Sequence, residues 1–222
     1  HYKKFSKDDL IYEVTEALID QKAVGWMQGR MEFGPRSLGA RSILADPRSS
    51  IMQKKLNLKV KYRESFRPFA PSVLREDVSE WFEHDIDSPY MLLVATLQKE
   101  KQRKMTLDEE SLFGIDKLNV TQSEVPAITH VDYSARVQTV HEDTNPRFHA
   151  LLAKFKEKTG CPLVVNTSFN VRGEPIICSP THAFKCFMGT ELDVLTIGNY
   201  LLLKEDQNRN LKKNYKDRYK LD

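Results

Sequence analysis

Three short segments concentrate the residue types that handle anions. Between Arg30 and Arg41, arginines 30, 36 and 41 alternate with Gly34, Pro35 and Gly39. A guanidinium presents a planar fork of donors suited to phosphate oxygens, and glycine lets a backbone approach one closely. Neither the Gly-Lys-Ser/Thr ending of a P-loop nor the G-x-G-x-x-G fingerprint is present here. Pattern alone therefore leaves an anion site and a structural turn both open. The second segment is Lys61-Tyr62-Arg63-Glu64-Ser65-Phe66-Arg67-Pro68. If it is extended, Lys61, Arg63, Ser65 and Arg67 share one face, because strand side chains alternate. Three cations in a row call for solvent or an anion to compensate them. In the third, the apolar run ending at Val165 opens into Ser168-Phe169-Asn170-Val171-Arg172-Gly173, which offers a hydroxyl, an amide and a guanidinium. Ligands of α/β sheets favour the crevice beyond the carboxyl ends of strands, where such a loop would lie.

The charge distribution agrees. Net charge is only +3, but residues 30–75 carry eleven Lys and Arg against three acids. Residues 203–222 add seven basic residues against four acidic ones, so the remainder of the chain is acidic. A basic island in an acidic background focuses positive potential on an anionic ligand. Cys161, Cys178 and Cys186 are odd in number and match no zinc or haem spacing, which predicts reduced, mostly buried thiols and no metal ligands. His130 and Asp132 form an H-x-D that would share a face on a strand, a weak signal alone.

The positioning elements follow from periodicity and punctuation. Leu10, Ile11, Val14, Ala17 and Leu18 predict a helix over 8–20, and 23–27 reads as a strand. A brief strand over 42–45 and a helix over 49–58 come next. Two prolines make 62–74 irregular or extended, 75–82 suits a short helix, and 90–97 reads as a strand. Residues 98–124 are charged and patternless, a surface excursion of a length that is uncommon unless functional or mobile. A β-rich 130–140 precedes a helix opening on Pro146, and 161–165 reads as a buried strand. Ser179-Pro180 is a helix start, and 194–203 suggests two strands around Gly198-Asn199. The reading is one α/β domain over 1–203, with a basic tail, 204–222, that need not be ordered. No apolar run reaches the roughly 18 residues of a membrane span and no signal peptide is visible, so a cytoplasmic protein is expected.

At these segments the sequence resembles the NodU/CmcH-type O-carbamoyltransferases. The resemblance rests on Gly29 to Arg48, on Phe66-Arg67-Pro68-Phe69-Ala70-Pro71-Ser72-Val73, on Ser134 to Val140, on Asn166 to Pro175, and on Ile197-Gly198-Asn199-Tyr200. It covers roughly residues 8–203 and corresponds to the family's C-terminal domain, which implies a YrdC/Sua5-like twisted mixed β-sheet with flanking helices. That fold uses a Lys-x-Arg and a Ser-x-Asn in its cleft. Lys61-Tyr62-Arg63 and Ser168-Phe169-Asn170 are similar in form, with Lys61 and Arg67 as an alternative pair. Tyr133 departs from the pattern, since a small residue, usually glycine, is expected before Ser134.

The resemblance implies that ATP and carbamoyl phosphate react here to give carbamoyl-adenylate, with Mg²⁺ accompanying the nucleotide. Arg36, Lys61 and Arg67 would hold the phosphates and the carbamoyl group. Arg136, Ser168, Asn170 and Arg172 would complete the nucleotide site. An actin-like N-terminal domain of the same polypeptide, holding iron and the hydroxyl acceptor, would receive the intermediate. The competing reading is a nucleotide- or RNA-binding YrdC-like module without turnover. Nucleic acid is disfavoured because the basic residues cluster and no aromatic base-stacking motif accompanies them.

Overall fold

The computed structural model describes residues 1–118, 120–212, 215 and 219. In chain order the elements are β1 (Lys3–Lys4), α1 (Lys7–Ile19), β2 (Val24–Met27), β3 (Arg41–Ala45), α2 (Met52–Leu56), β4 (Ala70–Leu74), α3 (Val78–Trp81), β5 (Leu93–Thr96), α4 (Leu107–Glu110), α5 (Ile115–Leu118), β6 (Ser134–Val140), α6 (Pro146–Thr159), β7 (Leu163–Ser168), α7 (Pro180–Gly189), β8 (Val194–Ile197) and β9 (Tyr200–Leu203). One mixed nine-stranded sheet runs β1-β9-β8-β2-β3-β7-β4-β6-β5. Its parallel pairs are β2 with β8 and β4 with β6, and the rest are antiparallel. The expected mixed sheet with flanking helices is therefore present.

Three long helices cover it, each with a local reason to start where it does. Ser6 caps α1 by accepting from the Asp9 N–H, and Asn145 and Ser179 do the same for α6 and α7, both of which carry proline at the first turn. Phe148, Leu151, Leu152 and Phe155 repeat at helical spacing on α6 and are fully buried against β4 and β7. Gly160 ends α6 in the left-handed conformation, φ 75°. Helix α1 packs beside α6, and α7 lies on β2 and β8.

Several sequence expectations need correction. Residues 70–74, expected to be irregular or extended, are extended and form β4 inside the sheet, between β7 and β6. Pro71 is tolerated there because pairing with parallel β6 begins only at Ser72, so the missing N–H lies just ahead of that ladder. Strand β7 runs on to Ser168, which puts Asn166 and Thr167 on the sheet and not in the loop. The 98–124 excursion is not patternless: Thr106 and Glu109 form a capping box on α4, and the Gln102–Ser123 bridge closes its base. Asn119 lies outside the described residues. His130 and Asp132 sit in a turn ahead of β6, so they share no strand face. Within the expected tail Tyr215 is buried in the core, and residues 213–214, 216–218 and 220–222 lie outside the described residues.

The loop before β3 is fixed by its own sequence. One Glu32 carboxylate oxygen accepts from the N–H groups of Leu38 (2.6 Å), Ala40 (2.8 Å) and Arg41 (3.3 Å). Arg41, buried, donates to the carbonyls of Gln28, Gly29 and Ala40. It is a structural brace and no longer a candidate for the ligand. Gly39 has φ 104°, and a Cβ there would lie 2.3 Å from a ring carbon of the fully buried Phe148. Gly39→Ala is expected to cost about 3 kcal/mol, combining left-handed strain with overpacking. A denaturant titration showing less than about 0.5 kcal/mol would overturn this packing account.

Candidate functional site

A cleft of about 160 Å³ opens where the 30–40 loop, the start of β4, β6 and the carboxyl end of β7 meet. Its polar lining comprises Arg36, Ser37, Lys61, Arg63, Arg136, Asn166, Thr167 and Ser168, with no carboxylate. The floor is set by a buried network. Ser72 and Gln138 are register partners on β4 and β6, and their side chains hydrogen-bond at 2.5 Å. The Asn166 amide nitrogen, one strand over, donates to Ser72 Oγ, Gln138 Oε1 and the Ser37 carbonyl. The Gln138 amide nitrogen donates to the Leu38 carbonyl (2.9 Å), which fastens the arginine loop to the sheet. The Asn166 carbonyl oxygen and the Ser37 hydroxyl remain buried without partners.

The cations differ sharply in their circumstances. Burial, and secondarily the positive charge of Arg36, hold Arg136 below its ordinary pKa. The Nε atoms of Arg36 and Arg136 are both buried and lack a hydrogen-bond acceptor, and neither side chain makes an ion pair among the described residues. Like charges held together beside unsatisfied donors are destabilised until an anion arrives. Arg63 stacks 4.8 Å over Phe69 and donates to Asn57 Oδ1 (2.6 Å), and burial pushes it down to about 10.

Lys61 is 5% exposed, and its ammonium lies within hydrogen-bond distance of four acceptors: Ser168 O (2.8 Å), Ser168 Oγ (3.1 Å), Asn170 O (2.9 Å) and Asn170 Oδ1 (2.7 Å). Three N–H bonds among four acceptors leave none over, so Lys61 shapes the 168–170 loop. Burial, then the Arg63 charge, pushes it down to about 7. The Ser168 hydroxyl donates to Asn170 Oδ1 (2.6 Å), and the Asn170 amide nitrogen donates to the Glu174 carbonyl (2.5 Å). Glu174 is itself held by the Val171 N–H and by the hydroxyls of Tyr215 and Tyr219.

The segment expected to be extended is instead wound and bent. Residues 57–61 form a π turn that ends at Tyr62 in the left-handed region, φ 50°, which splits the expected row of cations. Lys61 and Arg63 turn into the cleft, while Arg67 is half exposed, bonded to Glu64 at 2.9 Å, and outside the lining. Arg172 also lies outside the lining, with its guanidinium 3.9 Å from the same Glu64. Of the predicted residues, the structure thus gathers Arg36, Lys61, Arg136 and Ser168, puts Asn170 directly behind Lys61, and leaves Arg67 and Arg172 on the outer side. Sequence reasoning missed Asn166, Gln138, Ser72 and Glu32. Polar residues inside apolar strands were the available signal for the first three. Tyr133 adopts φ 61°, which explains the expectation of glycine there; its hydroxyl lies 3.5 Å from the Arg103 carbonyl.

The result is an α/β domain on a mixed sheet whose strand ends and loops gather cations round a cleft lined by no carboxylate. Residues 15–204 match the carbamoyltransferase C-terminus family model, and the chain belongs to that family. It is 54% identical, over its whole length, to an uncharacterized protein of Synechocystis sp., of which it spans 36%. It is 41% identical to nodulation protein NolNO of Sinorhizobium fredii, with 89% of this chain and 26% of that protein covered. Identity to the 3'-hydroxymethylcephem-O-carbamoyltransferase of Amycolatopsis lactamdurans is 38%, over 74% of this chain and 27% of that protein. The chain therefore spans little more than a third of these curated relatives, or less. Among solved structures, full-length HypF in its phosphate- and nucleotide-bound form shares the fold, with a TM-score of 0.50 and 18% identity over 91% of this chain and 22% of that one.

Proposed function

We propose that this chain binds ATP and carbamoyl phosphate and forms carbamoyl-adenylate, which a further part of a longer polypeptide transfers to a hydroxyl acceptor. The observation that carries the reading is the pair of buried, unpartnered guanidinium nitrogens of Arg36 and Arg136 in a cleft without a carboxylate. Both substrates are polyanions, and both would relieve that pair. A relative named an O-carbamoyltransferase supports carbamoyl as the group moved.

In this reaction carbamoyl phosphate, ATP and water give carbamoyl-adenylate, phosphate and pyrophosphate. Water cleaves carbamoyl phosphate to carbamate and phosphate; a carbamate oxygen then bonds to the α-phosphorus as the bond from the α-phosphorus to the pyrophosphate oxygen breaks. Such chemistry needs positioning and charge stabilisation above all. Arg36, Arg63 and Arg136 hold the phosphate oxygens, and Lys61, bonded to Ser168 and Asn170, fixes the 168–170 loop that walls the cleft. The lining supplies no carboxylate to hold Mg²⁺, so any such ion would have to be carried by the nucleotide and not by this chain. No helix among the described residues is long and apolar enough to cross a membrane, and a cytoplasmic setting is part of the same proposal. The iron-holding, actin-like N-terminal part remains the proposed recipient of the intermediate.

The test is calorimetric titration of ATP with Mg²⁺ and of carbamoyl phosphate, followed by an assay for pyrophosphate. Saturable binding of both, with pyrophosphate release that requires carbamoyl phosphate, is expected. Failure to bind either polyanion would overturn the reading.

A further inference from the structure

Glu174 is a buried carboxylate that the proposed chemistry leaves unused. It closes the turn that follows β7. Its Oε2 accepts from the Val171 N–H at 3.0 Å, and its backbone carbonyl accepts from the Asn170 amide nitrogen at 2.5 Å. Asn170 in turn offers Oδ1 to the Lys61 ammonium at 2.7 Å. The other carboxylate oxygen of Glu174, Oε1, accepts from the hydroxyls of Tyr215 and, at 3.0 Å, Tyr219. Both tyrosines belong to the basic segment after β9, and their rings meet edge to face with centroids 5.5 Å apart. A buried carboxylate without donors is costly, so these hydroxyls help keep Glu174, and with it Asn170, turned inward.

Tyr215 bears on a second support of Lys61 as well. Its ring lies over Gly189, the last residue of α7, where a Cβ would overlap it. The Gly189 carbonyl accepts from the Tyr62 hydroxyl at 3.0 Å, and Tyr62 directly follows Lys61. The two supports are joined, because the Lys61 carbonyl accepts from the Arg172 N–H at 3.3 Å. Lys204, at the start of the same segment, donates to the Thr190 carbonyl at 3.0 Å and steadies that corner. Burial, then the bond to Glu174, pushes the Tyr215 hydroxyl above its ordinary pKa, so it remains a donor at neutral pH.

We propose that Tyr215, with Tyr219, is a positioning residue for the cationic cleft: the segment after β9 acts as a strap that holds the 168–174 turn and Tyr62 in the arrangement that fixes Lys61 and receives a polyanion. The inference rests on the phosphate assignment above. The strap touches no ligand. It acts by removing freedom of the cleft wall that a ligand would otherwise have to freeze on binding.

The experiment compares the wild-type chain with a variant carrying Tyr215→Phe and Tyr219→Phe, which keeps both rings and removes both hydroxyls. Calorimetry with Mg²⁺-loaded ATP and with inorganic tripolyphosphate is run well below the melting transition. There the folded fraction is close to one, so a purely structural role leaves affinity unchanged. The variant is expected to bind both probes roughly fivefold more weakly, the scale of ordering a loosened wall. NMR titration of the Lys61 side-chain nitrogen is the second readout. Burial holds that pKa down, Arg63 adds to the effect, and Cys186 and Glu174 oppose it. A loosened turn admits water, so the Lys61 midpoint is expected to rise in the variant. Unchanged affinity, or an unchanged Lys61 midpoint, overturns the strap however far the thermal midpoint falls, and leaves the cleft standing. If wild type binds neither probe, the phosphate assignment falls and the Lys61 midpoint alone decides the strap: a rise upholds it and no change overturns it.

Discussion

Arg136→Met is expected to weaken ATP binding by roughly a hundredfold or more, while the thermal midpoint of the ligand-free protein stays the same or rises. The two halves of this result have one cause. A guanidinium on β6 donating to phosphate makes charge-assisted hydrogen bonds of about 1.5–3 kcal/mol each, and two such bonds suffice for the loss. In the absence of ligand the same group is a liability: it is partly desolvated, it faces the positive Arg36, and its Nε has no acceptor. Methionine fills a similar volume and removes all three costs. Arg36→Met is expected to behave likewise. Calorimetry together with a thermal melt separates this from a structural role, because a structural arginine would lose stability and affinity together. A variant that unfolds several degrees earlier and still binds ATP normally would sink the site assignment.

Lys61→Met is expected to have the second largest effect, with a signature in pH. Burial and Arg63 push the folded-state pKa of Lys61 down to about 7, from an ordinary value near 10.5. Between those values the unfolded chain binds a proton that the folded one does not, so wild-type stability rises with pH across this window. The contribution is fully present above about 10.5 and is lost as pH falls through about 7. Relative to Lys61→Met, wild type should therefore gain stability at up to about 1.4 kcal/mol per pH unit between pH 7 and 10, where no other group differs between the two proteins. Loss of the ammonium also strips Ser168 O, Ser168 Oγ, Asn170 O and Asn170 Oδ1 of a shared donor, so the 168–170 loop loosens and ATP affinity falls at every pH. Denaturant titrations of both proteins at pH 7, 8 and 9 measure the slope. Parallel stability curves would show that Lys61 keeps its proton throughout, and the lowered pKa would be wrong.

Much of the molecule was readable in one dimension. Helices α1, α6 and α7 announce themselves through apolar spacing and through caps at Ser6, Asn145 and Ser179, and such local signals survive because a cap and its helix lie within a few residues of one another. The basic island and the three anion-type segments were likewise visible, because charge and residue type are properties of the sequence. The resemblance to the O-carbamoyltransferases pointed to the family that the match over residues 15–204 establishes.

Other features depend on long-range contacts that no local pattern encodes. Strand β4 holds Pro71 because of where β6 begins to pair, some 66 residues along in the Ser72–Gln138 register. The Asn166–Ser72–Gln138 network joins three strands that only the sheet order makes neighbours. The order of the cations was settled the same way. Alternation along an extended strand would have kept Lys61, Arg63 and Arg67 on one face, but a π turn and a left-handed Tyr62 bend the chain so that Lys61 and Arg63 line the cleft while Arg67 meets Glu64 outside it. Sequence determined which chemistry the chain carries, because that depends on residue types and short-range propensity. Tertiary structure decided which of those residues share a cleft, because burial, charge repulsion and unmet hydrogen bonds exist only once distant segments have been brought together.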